Sequence, residues 1–123
     1  MLESITTKEF CQNWLAAWTG NRPKQLIAFY SNDIYYQDPA RPLGVKGKDH
    51  LFKYFTKLLA KYPHWLWQLV EIFPFDSGFT LKWQAKLYNT ATAKLFYGLD
   101  LVELTNGKIS RNEVYFDPGV LKI

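Results

Sequence analysis

Two aspartates stand where an acidic side chain could do chemistry, and Asp38 is the first. It ends a short predicted strand in phase with Ile34 and Tyr36, so its carboxylate should face the same apolar interior. A carboxylate in an apolar pocket is poorly solvated and becomes a usable general base. The alternative is structural: an aspartate before Pro39 caps a turn by accepting hydrogen bonds from backbone amides.

Asp100 lies in the middle of another predicted strand, and its neighbours on the same face are Phe96, Val102 and Leu104. An inward carboxyl is costly to ionise there, so one expectation is a neutral acid that donates to a bound carbonyl. The alternatives are a buried carboxyl held by a nearby Trp, Tyr or Lys, or a strand register that leaves Asp100 outside.

Aromatic residues are abundant, at 18% of the chain, and they supply the expected walls of a ligand pocket. Each ring could equally be ordinary core packing. The one polar candidate among the inward positions is Asn112, which could orient a ligand carbonyl or be a satisfied core amide. The predicted ligand-binding residues are Trp14, Trp18, Tyr30, Phe55, Trp83, Asn112 and Phe116.

Other chemistries have little support in the sequence. His50, His64 and Cys11 lack the spacing of metal ligands, so we predict no metal site. Cys11 has no neighbouring base, and His64 is expected near a rim. There is no phosphate-binding glycine loop and no serine nucleophile motif. Any catalysis should therefore need no cofactor.

Three helices and five strands should position these residues. Thr6 and Glu9 form a predicted capping box, and Pro23 suits the first turn of a second helix. The segment from Pro39 to Gly47 reads as turn-rich and irregular. The predicted helices are Thr6 to Gly20, Pro23 to about Ser31, and about Asp49 to Lys61. The predicted strands are Ile34–Gln37, Trp65–Phe73, Phe79–Tyr88, Leu95–Leu104 and Lys108–Asp117, with turns at 76–78, 89–92 and 106–107.

This order of elements predicts a single α+β domain over residues 1–123. Three N-terminal helices would pack on a strongly curved antiparallel sheet and close a cone around a blind cavity. The strand Leu95–Leu104 is apolar on both faces, so the face away from the cavity should meet a second subunit. We therefore predict a homodimer through the outer sheet face.

Composition argues against several other classes of protein. The net charge is +4, but Lys53, Lys57 and Lys61 recur on one helix face that reads as solvated, which disfavours nucleic-acid binding. No apolar run is long enough for a membrane span, and no signal peptide is evident. A single cysteine suits a reducing compartment, so the predicted location is cytoplasmic.

Four stretches together resemble the NTF2-like superfamily, and within it the SnoaL-like polyketide cyclases and ketosteroid isomerases. The match in order and spacing spans nearly the whole chain and implies a cystatin/NTF2-like cone. The fold hosts enzymes, carriers and scaffolds alike. The stretches are Phe29–Asp33 into Tyr36–Pro39, Gly44–Asp49, Gly98–Leu104 before Asn106–Ile109, and Val114–Asp117.

The resemblance implies roles for particular residues. Asp38 stands where the isomerases place their proton-shuttling carboxylate, and Asp100 where they place a protonated acid that donates to the oxyanion. Trp14 replaces their main oxyanion donor, a tyrosine, and an indole is a much weaker acid. Asp100 with Trp14 or Asn112 would then stabilise an oxyanion.

Two functions remain open. The first is a pocket for a small apolar ligand, cyclic or aromatic with one or two oxygens. Its cofactor-free isomerisation, aldol-type cyclisation or hydration would use Asp38 as the proton shuttle. The alternative is a non-catalytic NTF2-like module that dimerises or binds a protein.

Overall fold

The computed structural model describes residues 4–89 and 92–121, with side chains described for 7–88 and 93–119. Helices and strands cover most of this range, and the third helix follows the first two strands. In chain order the elements are α1 (Ser4–Ala16), α2 (Pro23–Ile27), β1 (Tyr30–Asp38), β2 (Arg41–Lys46), α3 (Lys48–Lys61), β3 (Leu66–Phe75), β4 (Gly78–Asn89), β5 (Thr92–Thr105), β6 (Lys108–Tyr115) and a 3-10 turn (Pro118–Leu121).

The strands form one curved six-stranded sheet in the order β2-β1-β6-β5-β4-β3. Neighbouring strands are antiparallel except β1 and β6, which run parallel. The prediction of an antiparallel sheet was therefore wrong at this one pair. Since β1 and β6 are far apart in sequence, the intervening chain can serve as the long crossover that a parallel pair needs.

The helices cover one face of this sheet, as the α+β prediction requires. They have 13, 5 and 14 residues, and two of them precede the strands. α1 packs against β3, while α3 packs against β1, β2 and α2. α1 begins at Ser4, two residues before the predicted capping box at Thr6. It ends at Ala16 rather than at the predicted Gly20. Its apolar stripe is buried as expected at Cys11, Trp14 and Leu15, and Trp18 is buried just beyond its end.

The chain between α2 and α3 differs most from the prediction. α2 ends at Ile27 rather than Ser31, and β1 already begins at Tyr30. Ser, Asn and Asp residues have low helix propensity, whereas the pairing of β1 with β6 and β2 stabilises the extended form. The predicted irregular segment contains β2, an edge strand, where a proline such as Pro42 is tolerated.

The strands that carry the cavity follow the predicted alternation. In β4 the five inward side chains are all at most 2% exposed. In β5, Phe96, Asp100 and Val102 are buried, whereas Leu95 and Tyr97 are 55% and 56% exposed. The turn at 106–107 has left-handed backbone at both residues, as an Asn-Gly hairpin requires. The predicted turn at 89–92 lies partly outside the described residues.

The lysine-bearing face of α3 is exposed to solvent, as predicted from the sequence. Lys53, Lys57 and Lys61 are exposed, and so are both histidines. Within residues 4–89 and 92–121, no helix has the length and apolar character needed to cross a membrane.

Candidate functional site

A cavity of about 60 Å³ lies between the helices and the concave face of the sheet. Its walls are mostly aromatic, and both candidate acids belong to them. Ala40 is exposed and Tyr54, Leu58 and Phe116 are half-buried, so these residues mark its mouth. The lining residues are Leu15, Trp18, Tyr36, Asp38, Ala40, Tyr54, Leu58, Trp65, Trp67, Trp83, Phe96, Asp100, Val114 and Phe116.

Asp38 ends β1 with hydrogen-bond donors on both carboxylate oxygens. Oδ2 accepts from the hydroxyls of Tyr36 at 2.7 Å and Tyr54 at 2.6 Å. Oδ1 accepts from the backbone N–H groups of Ala40 at 2.8 Å and Arg41 at 2.9 Å, which is the turn cap of the structural alternative. A carboxylate has about four lone-pair sites, so Asp38 can take a ligand proton only by releasing one of these donors.

The two tyrosines act as neutral donors to Asp38. Burial is the main reason that the pKa of Tyr36 lies well above its ordinary value, and the charge of Asp38 adds to the rise. Burial also raises the pKa of Tyr54, followed by its hydrogen bond to Asp38. Both hydroxyls therefore keep their protons at any physiological pH.

Asp100 lies in β5, is 4% exposed and faces inward as predicted. Its Oδ1 accepts from the indole N–H of Trp83 at 2.7 Å, and its Oδ2 from the amide of Asn112 at 2.9 Å. Burial raises the pKa of Asp100 to about 6. The hydrogen bonds from Asn112 and Trp83 oppose this rise, and the charge of Asp38 adds to it. The carboxyl thus changes charge close to neutral pH, where acid–base catalysts work best.

A buried polar chain supports Asp100 from behind. The indole N–H of Trp14 donates to the Tyr30 hydroxyl at 3.0 Å, which donates to Oδ1 of Asn112 at 3.2 Å. The Asn112 amide then donates to Asp100. The single N–H of Trp14 is used in this chain, and neither Trp14 nor Asn112 lines the cavity, so neither is placed to donate to a ligand oxyanion.

The two acids flank the cavity from strands on either side of β6. Asp100 pairs with Val114, and Gln37 pairs with Glu113, so Val114 lies between the two acids. Two strand spacings put their backbones about 10 Å apart. A ligand over Val114 would therefore have one carboxyl on each side.

The predicted ligand-binding residues divide into two groups. Trp18, Trp83 and Phe116 line the cavity. The other four are core residues that are not part of its wall: Trp14, Tyr30, Phe55 and Asn112, each at most 1% exposed. Three of these four instead form the polar chain behind Asp100, and Phe55 packs against the rings of Trp18, Tyr30 and Tyr36.

Three important lining residues, Tyr54, Trp65 and Trp67, were not predicted. Trp65, Trp67 and Leu69 alternate with polar or exposed residues at and just before the start of β3. This alternation could have identified Trp65 and Trp67 as inward-facing. Tyr54 could not be predicted in the same way, because its place in the wall depends on how α3 packs against the sheet. Trp67 also carries a fully buried indole N–H without a hydrogen-bond partner. Its ring meets Trp83 and Trp65 edge to face, at centroid distances of 4.6 and 4.9 Å.

Within the described ranges, neither the Cys11 thiol nor a metal site competes with the two acids. Burial raises the pKa of the Cys11 thiol to about 12, with a further contribution from Asp100, so the thiol stays protonated. Among the residues that the structure describes, no three His, Cys, Asp or Glu side chains come together as a metal site would require.

The sequence model of the SnoaL-like domain family matches residues 11–112, which include both acids and most of the cavity. The chain belongs to the SnoaL-like domain family. No curated protein matches it significantly. The resemblance seen in the sequence motifs is thereby confirmed, and with it the NTF2-like fold class of this SnoaL-like chain.

Solved structures share the fold at low sequence identity. A hypothetical protein with a ketosteroid isomerase-like fold from Catenulispora acidiphila, in complex with trimethylamine, is 18% identical, with TM-score 0.76 over 89% of this chain and 86% of that one. A cystatin-fold protein from Novosphingobium aromaticivorans is 12% identical, with TM-score 0.71 over 89% and 97%. A candidate SnoaL-like polyketide cyclase from Jannaschia is 8% identical, with TM-score 0.77 over 94% and 88%. Identities this low establish the architecture and leave the activity to be argued from the site.

Proposed function

We propose that this SnoaL-like chain encloses a compact, mostly apolar ligand in the cavity and exchanges a proton with it without a cofactor. One observation carries the proposal: Asp38 and Asp100 line the same aromatic cavity, and burial raises the pKa of Asp100 to about 6. A carboxyl that titrates near neutrality beside an apolar ligand suits general acid–base catalysis.

Cavity size restricts the ligand. An engineered cavity that binds benzene has a volume of about 150 Å³, whereas this cavity has about 60 Å³. A multi-ring ligand would thus require the mouth residues Tyr54, Leu58 and Phe116 to move. A molecule of a few non-hydrogen atoms suits the site better than the cyclic or aromatic ligand expected from the sequence, and trimethylamine in the Catenulispora relative is of that size.

Asp100 is our first choice for the proton-transfer group. Its two oxygens accept one hydrogen bond each, whereas all four sites of Asp38 are used. Asp38 as the shuttle would require the release of a donor, most readily the half-buried Tyr54. The role of Asp38 in our proposal is to place a second acidic group beside the ligand.

A fragment titration tests this proposal. Small molecules of up to about six non-hydrogen atoms, neutral and cationic, would be titrated into the labelled protein at about pH 8. The readout is the indole N–H resonances of the four cavity tryptophans, Trp18, Trp65, Trp67 and Trp83. We expect at least one fragment to shift the four cavity resonances saturably. Bound fragments that are carbon acids, such as acetone, should exchange α-hydrogen for deuterium about 100-fold faster than with Asp100→Asn.

The exposed acid Asp76 offers a matched control, because Asp76→Asn removes one carboxylate far from the cavity wall. This variant should retain both binding and exchange. The proposal fails if no fragment moves the cavity tryptophans, or if Asp100→Asn exchanges hydrogen as fast as the unchanged protein.

A second function is favoured by the outer face of the sheet: we propose that two chains dimerise through it. Apolar side chains on β3, β5 and β6 remain exposed there, with Lys82, Gln84 and Lys86 of β4 between them. So much exposed apolar surface on one face is unusual for a monomer. Two of the apolar side chains, Leu95 and Tyr97, are more than half exposed. Glu103, Arg111 and Glu113 form an ion-paired polar border beside the patch. The exposed members are Leu66, Phe73, Phe75, Leu95, Tyr97, Leu99 and Tyr115.

Sedimentation velocity would test the dimer. Replacing the exposed Tyr97 by aspartate should raise the dimer dissociation constant at least tenfold, because the ring contact is lost and the interface must desolvate a charge. The control is Leu43→Asp on the edge strand β2, where the side chain is 94% exposed. If the unchanged protein sediments as a monomer at all accessible concentrations, the dimer is refuted.

A further inference from the structure

We propose that the cavity selects a small alkylammonium cation, free in solution, over neutral molecules of the same size. This inference rests on the proposed small-ligand function and names the ligand class. It follows from the chemical character of the wall: aromatic faces, two acids and no base.

The wall is almost entirely of the two kinds of group that attract an organic cation. Eight of its fourteen residues are aromatic, and the other apolar ones are small or aliphatic. Tryptophan faces in particular attract ammonium groups, and cages of such rings bind alkylated ammonium ligands. Among the described residues that line the cavity, the charged ones are Asp38 and Asp100, and none is Lys, Arg or His.

Hydrogen-bond polarity points the same way. The hydroxyls of Tyr36 and Tyr54 already donate to Asp38, and the indole of Trp83 donates to Asp100. The indole of Trp65 donates to a backbone carbonyl, that of Trp18, at 2.6 Å. A buried donor without a partner, the indole N–H of Trp67, also belongs to this wall and is available to a ligand carbonyl. The two acids are acceptors, and an ammonium N–H would bring a donor to them.

One cation already pairs with a ring of this wall. The Arg41 guanidinium lies 4.7 Å from the centroid of the Tyr54 ring, and Arg41 is exposed at the edge of the site. Its backbone N–H bonds Asp38, but its side chain is not part of the cavity wall. The acid charge inside the cavity is thus left without a basic side chain in the wall, and a bound cation would supply the compensation.

Three ligands with four non-hydrogen atoms each would test the inference: isopropylammonium, 2-propanol and acetone. Dissociation constants would be measured from the indole resonances of the cavity tryptophans at about pH 8. We expect isopropylammonium to bind at least about tenfold more tightly than either neutral molecule. Asp100→Asn should weaken the cation about tenfold and change the affinity for 2-propanol less than about twofold, while Asp76→Asn should change neither.

A measurement on the unchanged protein keeps the test independent of whether Asp100→Asn folds. Lowering the pH from about 8 to about 5 protonates Asp100 and should weaken isopropylammonium at least about fivefold, with 2-propanol unaffected. Tyr30, Tyr36, Tyr54 and Cys11 have pKa values above their ordinary ones and do not change charge in this range. The Arg41 guanidinium lies beside the wall, over the Tyr54 ring. Asp38 is the other acid of the wall, and the variant at Asp100 separates the two contributions.

The outcomes separate the inference from the function on which it rests. Equal affinity for isopropylammonium and 2-propanol, or tighter binding of acetone, overturns the cation preference and leaves the small-ligand function standing. No binding of any of the three, together with a negative fragment panel, overturns both.

Discussion

Replacing Gly98 by alanine should lower the free energy of unfolding by about 3 kcal/mol, the upper part of the range for overpacked cores. Gly98 lies in β5 directly opposite Trp83 in β4. An added Cβ would overlap the Cζ2 and Cη2 atoms of the Trp83 ring and lie 2.8 Å from the Tyr115 carbonyl oxygen. The ring cannot move without straining its hydrogen bond to Asp100, so the site should lose both packing and polar contacts. Urea denaturation measures the change.

Gly119 provides the control for this substitution. A Cβ at Gly119 would meet the Asp117 carboxylate at 3.2 Å, and that exposed side chain can turn away. Gly119→Ala should therefore change stability by less than about 0.5 kcal/mol. Similar losses from the two substitutions would show that Trp83 is not held closely against β5.

The second large effect concerns Asp100 and pH. Its pKa is about 6 in the folded protein, because burial disfavours the charged form, against about 3.9 in an unfolded chain. The folded state thus holds this proton more tightly than the unfolded state does. The stability that this group contributes is fully present below about pH 4 and is lost as the pH rises through about 6. The loss amounts to about 3 kcal/mol, from about two pKa units at 1.36 kcal/mol each.

Comparison with Asp100→Asn isolates this contribution from the other acids. Unfolding free energies of both proteins would be measured by urea denaturation from about pH 4 to about pH 8. The asparagine cannot titrate, so the unchanged protein should be the more stable of the two by a margin that shrinks by about 3 kcal/mol over this range. A margin that does not depend on pH would place Asp100 in a solvated environment.

The strand phases that build the site could be predicted because alternation is a local property. Ile34, Tyr36 and Asp38 face inward together, and so do Phe96, Asp100 and Val102. In both strands one apolar face marks the core, and the acid takes its place in that pattern. The sequence could therefore place both acids inside before any partner of theirs was known.

The partners of these acids were harder to predict, because they come from distant elements. Tyr54 reaches Asp38 from α3, and Asn112 reaches Asp100 from the neighbouring strand. β2 was missed because Pro42 and Gly44 are typical of turns, although an edge strand tolerates both. At Gly44 the backbone φ is +87° and the Tyr35 ring fills the space of a Cβ, so glycine is required there for reasons visible only in three dimensions.

The division of roles between the acids also depends on these partners. From the sequence, Asp38 was the better candidate for a general base, and a turn cap was the alternative, structural role. In the structure Asp38 caps the turn with one oxygen and is bound by two tyrosines with the other, so its position in the wall and its structural role coexist. Asp100 keeps fewer donors and a pKa of about 6, which makes it the more available acid.

A carboxyl-carbon NMR titration of Asp100 tests the central claim most directly. The account predicts a midpoint near pH 6, and the indole N–H resonance of Trp83, which donates to this carboxyl, should move with the same midpoint. The indole N–H resonance of Trp65, which donates to a backbone carbonyl, should shift much less over the same pH range. A midpoint near that of an exposed aspartate, about 4, or a Trp83 resonance that ignores the titration, would contradict the account.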